Sequence, residues 1–357
     1  MMTPIDNILR VLDHANSRTV TVFGDYCLDK YLYIDPARDE DSVETGLTAY
    51  QVDRKNVYPG AGGTVASNLR SLGVNVGCVG LVGDDGEGYD LLQCLKAIDA
   101  DTELMVQSKN IPTSTYMKPM RRCADGTHSN GTHSNGAYLE MNRIDIRNFQ
   151  ETSKELEDRL ITNLRKALDV SQGVVIIEQF LQRNCSAVTD RIRDELSALA
   201  LRYPGKFFLA DSRGFASCYR NVIVKCNQFE YSQFGCSQFE RSGTGENLVA
   251  NNLVANNRAV IVTLGAEGAL VYEGETVERI PAFPVENPLD IVGAGDATNA
   301  GTILGLTLGL TLPESVLLGC CVASITIQQI GVTGVATLEQ VKERLDAGAS
   351  ISSGAVG

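Results

Sequence analysis

The segment DIVGAGDATNAG at 290–301 combines a carboxylate, a run of small residues and a long apolar continuation. Gly293, Ala294 and Gly295 let a backbone approach a ligand closely, and the run from about Asp296 to Leu310 predicts a helix. A helix start carries unpaired N–H groups and the positive end of the dipole, which suits an anion. A carboxylate beside such a place has a use if it takes a proton from a group about to attack a phosphate held by those N–H groups. Asp296 as a plain helix cap after a tight glycine turn is the competing reading.

Elements that could position this segment alternate along the chain. Residues 4–16 predict a short amphipathic helix. TVTVFG at 19–24 predicts a buried strand with a functional loop at its end, GDYCLDKY, carrying Asp25 and Asp29. From Tyr31 to Tyr58 the pattern is polar and irregular, as for a small β-flap outside the main sheet. PGAGGTVASNL at 59–69 predicts a glycine-rich turn opening a helix. Its spacing fails the dinucleotide fingerprint, because Val65 holds the third glycine place and no strand leads directly in. Small residues for tight helix packing are the competing reading of that stretch.

Strands are predicted at Val74 to Val82, Gly173 to Ile177, Lys206 to Asp211, Val222 to Lys225, Ala259 to Leu264 and Ala269 to Tyr272. Helices between them, near 87–98, 151–168 and 185–202, give the pattern of a mostly parallel sheet. Ile111 to Arg122 and Ala137 to Ile144 alternate like two strands of an exposed sheet, joined by the tandem repeat GTHSN-GTHSN-G at 126–136. That repeat has the composition of a solvated loop. A second repeat, NLVAN-NLVAN-N at 247–257, predicts helix. Two helices apolar nearly all round, about 297–310 and 313–329, must be buried together.

The whole chain narrows the chemistry. Its 357 residues suffice for one large domain, and a net charge of −13 disfavours general nucleic-acid binding. One bound nucleotide needs only a local anion site. No signal-peptide layout and no uninterrupted apolar run of membrane-spanning length is seen, so the cytoplasm is the expected location. The ten cysteines are scattered and read as free thiols. With only His14, His128 and His133, a histidine triad or histidine-rich metal site is disfavoured, and any metal should be a hard cation held by oxygen.

The order of five motifs, GDYCLDKY, PGAGGTVASNLRSLG, KCNQFE, TLGAEGAL and DIVGAGDATNAG, resembles the ribokinase-like, PfkB-type carbohydrate kinases over nearly the whole chain. Within that family, GDYCLDKY, the stretch from Leu139 to Asp145 and ADSR at 210–213 look closest to the heptose-phosphate kinase branch. The resemblance implies an α/β fold: a three-layer αβα sandwich with a mostly parallel central sheet and a small β-sheet lid. Residues 1–357 would form a single kinase domain, with the lid built from excursions at about 26–58 and 111–144 and often pairing two subunits into a homodimer.

The resemblance also implies roles. Asp296 matches the general base, and Gly293, Ala294 and Gly295 match the anion hole. Asn227 and Glu230 match residues near Mg²⁺ and its waters beside the ATP phosphates. Thr263, Gly265 and Gly268 match the nucleotide-binding turn, with Asn299 near the adenine. Asp29, Gly60, Gly62, Thr64 and Asp290 fall on the sugar side. A monovalent cation such as K⁺ is a further implied cofactor near Asp290 and the loop 331–337. The chain departs from the pattern at Ala61 and Thr64 in the sugar turn, at Cys226 for a proline, and at Glu178-Gln179-Phe180 for Ser-Asp-Tyr.

The expected activity is therefore ATP- and Mg²⁺-dependent phosphorylation of a hydroxyl on a sugar or sugar derivative, such as a heptose phosphate. A catalytically silent sugar- or nucleotide-binding regulator on the same fold is the alternative. A nicotinamide-dependent oxidoreductase fails on the glycine spacing.

Overall fold

The structure, a computed structural model, describes residues 3–123, 138–233, 253–286, 289–331 and 333–353. The GTHSN repeat with His128 and His133, and most of the NLVAN repeat, lie outside the described residues.

The chain opens with helix α1 (Pro4–Leu12), strand β1 (Thr19–Gly24), β2 (Tyr26–Ile34), the short β3 (Glu40–Asp41) and β4 (Thr48–Ala49), and β5 (Val52–Ala61). Next come α2 (Gly62–Ser71), β6 (Asn75–Gly83), α3 (Gly86–Ala97), β7 (Val106–Ser108), β8 (Thr115–Arg122), β9 (Tyr138–Glu140) and β10 (Ile144–Ile146). The middle holds α4 (Lys154–Val170), β11 (Gly173–Glu178), α5 (Asp190–Arg202), β12 (Phe207–Ser212), β13 (Ile223–Asn227) and α6 (Gln228–Gln233). Finally come β14 (Ala259–Thr263), β15 (Ala269–Glu273), β16 (Thr276–Ile280), α7 (Ala294–Thr307), α8 (Leu312–Thr326) and α9 (Leu338–Ser353).

Nine strands form one sheet in the order β16-β15-β14-β13-β12-β11-β1-β6-β7. The pairs from β14 to β7 are parallel, and β15 and β16 add an antiparallel edge. The parallel strands are apolar on both faces because helices cover both. Alternation sorts their side chains into two cores. Val20, Val22, Val175, Ile177, Leu209, Ile223 and Ile261 pack with α1, α2, α7 and α8, whereas Phe23, Val174, Ile176, Phe208, Val224 and Val260 pack with α4 and α5. The helices α7 and α8 touch closely at Gly301 and Gly319, where an added Cβ on Gly301 would lie 2.7 Å from the Gly319 Cα.

A second sheet, β10-β8-β2-β5 with β9 on β8, stands apart from the first. It is built from the two excursions expected from the sequence, with two differences. GDYCLDKY is not a loop: Tyr26–Ile34 is an inner strand, paired with β5 on one side and β8 on the other. Its mixed polarity reads as a loop in one dimension, but the paired backbone is satisfied by both neighbours. The glycine-rich stretch is not a turn either. Strand β5 runs through Gly60 and Ala61 straight into α2, and Ala61 absorbs the change of direction at φ 52°. The short strands β7 and β16 at the sheet edges were not expected.

The cysteines among the described residues are free. Among those residues no helix is long and apolar enough to cross a membrane.

Candidate active site

Helix α7 begins at Gly293, which takes the left-handed conformation at φ 82°. Asp290 braces the approach: one carboxylate oxygen accepts the Val292 N–H (3.1 Å) and the other the Gly331 N–H (3.0 Å). Both oxygens of Asp290 are thus engaged with backbone, shaping the loop. The Ala294 N–H closes onto the Ile291 carbonyl and the Ala297 N–H onto Gly293. The N–H groups of Gly295 and Asp296 have no backbone acceptor recorded among the described residues, as a helix start requires. A Cβ on Gly293 would lie 2.9 Å from the Thr333 methyl and 3.5 Å from that of Thr64, so this turn has room for nothing larger than hydrogen.

Asp296 is the third residue of α7. Burial pushes its carboxyl up to about 7, the nearby Asp211 charge adds to the rise, and Lys225 and Arg213 oppose it. Asp211 and Lys225 come from adjacent strands at paired positions, with the ammonium 2.6 Å from the Asp211 carboxylate. Burial alone would lower the Lys225 ammonium, but Asp211 above all outweighs it and holds it above the ordinary value. A side chain on Gly295 would begin 3.3 Å from that ammonium. The small residues therefore open the helix start directly onto a buried cation.

At one end of this region, Asn227 and Glu230 cap α6 reciprocally: each backbone N–H donates to the other's side chain at 2.8 Å. Burial raises the Glu230 carboxyl above its ordinary range. Among the described residues no three His, Cys, Asp or Glu side chains cluster as a metal cage. One carboxylate with a free oxygen fits a hydrated Mg²⁺, which keeps most of its waters. Thr263 ends β14, its hydroxyl facing the Cys226 carbonyl at 3.4 Å. Gly265 and Gly268 both have positive φ, 60° and 89°, and a Cβ on Gly268 would collide with the Ile280 carbonyl. Asn299, matched by the resemblance to a place near the adenine, is fully buried, and its amide donates to Asp211 at 2.6 Å.

At the other end, Asp29 projects from β2 and pairs with Lys118 of β8 at 3.0 Å, while Lys118 also reaches the Tyr31 hydroxyl at 3.0 Å. Gly60 lies across from this pair, and a Cβ there would sit 2.6 Å from the Asp29 carboxylate and 2.7 Å from the Cys27 sulfur. Glycine is required because the acid leans over the strand. The Gly62 N–H donates to the Asp25 carbonyl at 2.9 Å, and the Thr64 hydroxyl faces the Pro59 carbonyl at 3.4 Å. The charges of both Asp29 and Asp296 act on the Cys27 thiol, so the second sheet and α7 approach each other there.

Two buried acids hold the loop after β11. Asp25 accepts the N–H groups of Gln179 (2.8 Å), Phe180 (3.3 Å) and Ala187 (3.2 Å). Glu178 pairs with the buried Arg193 and accepts the hydroxyls of Ser212 (2.7 Å) and Tyr219 (3.0 Å). The departure Glu178-Gln179-Phe180 thus carries its own support.

Asp296, Gly293, Gly295, Thr64, Asp29, Gly60, Asn227 and Glu230 lie around one region. Lys225, Asp211, Arg213 and Lys118 were missed as site residues. For Lys225 and Asp211 the available signal was an ionisable residue inside an apolar strand, in IVKCN and FFLADS.

Comparison with known proteins bears on the family and the fold. A family model described as pfkB family carbohydrate kinase matches residues 20–122 and 124–338. The bifunctional protein HldE of Hyphomonas neptunium is 27% identical over 343 residues, covering 94% of this chain and 65% of the relative. That of Chromohalobacter salexigens is 28% identical over 335 residues, covering 93% and 64%. The chain therefore spans a little under two thirds of the length of these relatives. In fold, it is similar to phosphofructokinase-2 from Escherichia coli in complex with potassium, with a TM-score of 0.66, 18% identity and coverage of 92% of this chain and 98% of that one. Ribokinase from Arabidopsis thaliana complexed with ribose and ATP gives a TM-score of 0.63 at 18% identity, with the same coverage. The three-layer fold with its separate small sheet is that of the ribokinase-like structures. With its motifs in order and the family model matching nearly its whole length, the chain belongs to the pfkB family of carbohydrate kinases.

Proposed function

We propose that the protein transfers the γ-phosphoryl group of ATP to a hydroxyl of a sugar or sugar phosphate, a heptose phosphate being the expected kind. The observation that carries this reading is Asp296, a carboxyl raised to about 7 and placed at the open start of α7. The acceptor hydroxyl loses its proton to the Asp296 carboxylate as its oxygen bonds to the γ-phosphorus. The bond from the γ-phosphorus to the β,γ-bridging oxygen breaks, and ADP leaves with that electron pair. The backbone N–H groups left open at the start of α7, those of Gly295 and Asp296, and the Lys225 ammonium beside Gly295 receive the charge of the transferring group.

Asn227 and Glu230 would hold Mg²⁺ through water, and Thr263, Gly265 and Gly268 would form the nucleotide turn. Mg²⁺, when bound, neutralises the phosphate oxygens and orients them. Asp29, Gly60, Gly62 and Thr64 receive the sugar, with Lys118 holding Asp29 in place. The second sheet acts as the lid over one kinase domain and as the surface that pairs two subunits, in the cytoplasm. Asp290 shapes the loop against which a K⁺ ion would sit, and the potassium complex of phosphofructokinase-2 supports testing it. The Arabidopsis ribokinase with ribose and ATP supports ATP as the donor.

ATP consumption measured across sugars and sugar phosphates tests this reading. Turnover with a sugar phosphate, absent with the corresponding free sugar, is the expected result. A protein that binds ATP yet consumes none with any acceptor would be a silent regulator instead.

A further inference from the structure

We infer that Gln329 is a positioning residue for the phosphoryl transfer: its side-chain amide sets the place of Thr333 and, through it, of the turn at Gly293 that opens α7. This rests on the transfer proposed above and adds a residue to its support.

The turn has little side chain of its own to hold it. Gly293 stands at φ 82°, and Ala294 and Gly295 follow it into the helix. Two methyl groups bound it from outside. That of Thr64 on α2 lies 3.5 Å from where a Cβ on Gly293 would be, and that of Thr333 lies 2.9 Å away. Thr64 belongs to a helix, whose backbone is held by its own hydrogen bonds. Thr333 belongs to the connection between α8 and α9, and residues 333–336 are in neither helix nor strand. Its place has to be set by side chains.

Gln329 supplies the main hold. Its N–H donates to the Thr326 carbonyl at 3.1 Å, which ties it to the end of α8. Its side-chain amide donates to the Val335 carbonyl at 2.7 Å, and its amide oxygen accepts the Val335 N–H at 3.2 Å. One side chain thus takes both main-chain polar groups of one residue, as a partner strand does in an antiparallel sheet. A primary amide suits this because it carries a donor and an acceptor side by side. Gly334 permits the approach: a Cβ there would lie 2.5 Å from the Thr326 carbonyl oxygen and 3.1 Å from the Gln329 Cβ. Asn68 of α2 adds a long contact, its amide 3.5 Å from the Gly334 carbonyl.

Thr333 therefore lies between two anchors, Gly331 on Asp290 at one end and Val335 on Gln329 at the other. Releasing the Gln329 end lets Thr333 draw back, and the turn loses one of its two walls. The N–H groups of Gly295 and Asp296 follow directly from that turn, so the place they give the phosphoryl group shifts with it. Transfer is steeply sensitive to such displacement. Gln329 touches none of the residues given to the nucleotide or the sugar, so substrate binding should be spared.

The test compares wild type, Gln329→Met, Thr333→Ser and the double variant as full chains, with ATP, Mg²⁺ and the acceptor identified by the panel. Methionine keeps the length of glutamine and removes both bonds, while serine keeps the Thr333 hydroxyl and removes the methyl. Each single variant should lower kcat about tenfold with KM for both substrates nearly unchanged. Because both act through one contact, the double variant should be no slower than the slower single one. Hydrogen exchange read by mass spectrometry should quicken in Gln329→Met at 290–298 as well as at 333–336. A glutamine that only stabilises the fold would lower the melting temperature and leave kcat at wild type, and that result overturns the inference. So do losses that multiply in the double variant, exchange that quickens at 333–336 alone, or a rise in KM without a fall in kcat. Wild-type kcat in Thr333→Ser overturns it even where Gln329→Met fails to fold. A wild-type protein inactive on every acceptor overturns the transfer reading itself, and the inference with it.

Discussion

Lys225 and Asp211, at paired positions on adjacent strands, hold each other at 2.6 Å beneath the glycines that open α7. Asn299 donates to the same carboxylate oxygen from the helix itself. Asp296 therefore sits between an acid that raises its pKa and an ammonium that lowers it, and small changes in this pair should tune the base.

Asp296→Asn keeps the shape of the helix start and removes the proton acceptor. Turnover should fall about 10²-fold or more while ATP affinity, followed by calorimetry, stays near wild type. An Asn variant with wild-type kcat would remove Asp296 from the role of base.

The pH profile carries a sign that can be checked. Burial first, and Asp211 second, raise Asp296 from its ordinary value of 3.8 to about 7. Since the base works ionised, kcat/KM should rise about tenfold per pH unit below that point and level off above it. Stability runs the other way. Between the two values the folded chain binds a proton that the unfolded chain has released. The contribution of Asp296 to stability is thus present at low pH and lost as pH rises through about 7. An activity limb near pH 4 would contradict the raised value.

Asp211→Asn and Lys225→Met should move that limb in opposite directions. The first removes a like charge and frees an ammonium, shifting the limb to lower pH; the second removes the cation, shifting it higher. Lys225→Met also strands an acid in the site, at a cost of about 3–5 kcal/mol in urea unfolding. Shifts of the same sign in both variants would refute this account of the field.

Gly293→Ala forces a side chain into φ 82° and against Thr333. Stability should drop by roughly 1–2 kcal/mol from the left-handed backbone alone, and kcat should fall further as the loop shifts to relieve the contact. Denaturation and steady-state kinetics on the same preparation separate the two effects. A variant with unchanged turnover would mean the turn tolerates displacement.

The donor side of the fold was largely legible in the sequence. Strand β1 has the predicted bounds, Thr19–Gly24, and α7 starts two residues before the expected Asp296, because Ala294 and Gly295 already take helical conformation after the bend at Gly293. Apolar runs and glycines are local signals, and this half of the site is built from them. The acceptor side was less legible. Tyr26–Ile34 has no clean alternation, since one strand packs a core at its ends and presents Asp29, Lys30 and Tyr31 in its middle. The Lys225–Asp211 pair spans 14 residues and Asn299–Asp211 spans 88. No local pattern encodes such contacts. They arise only when the parallel sheet places the strand ends side by side.

Strand β2 leaves the main sheet one residue after β1 ends, and β5 returns to it at Ala61. The exit and return points are tied together, Gly62 donating to the Asp25 carbonyl at 2.9 Å. The first excursion is thus a closed detour that departs and rejoins the chain at one spot. Chimeras that exchange residues 26–61 for the corresponding stretch of a relative would need that junction preserved together with the pairing of β2 on β8 and the Asp29–Lys118 ion pair. Acceptor preference would then pass between kinases as a cassette, with the phosphate chemistry left behind in the recipient.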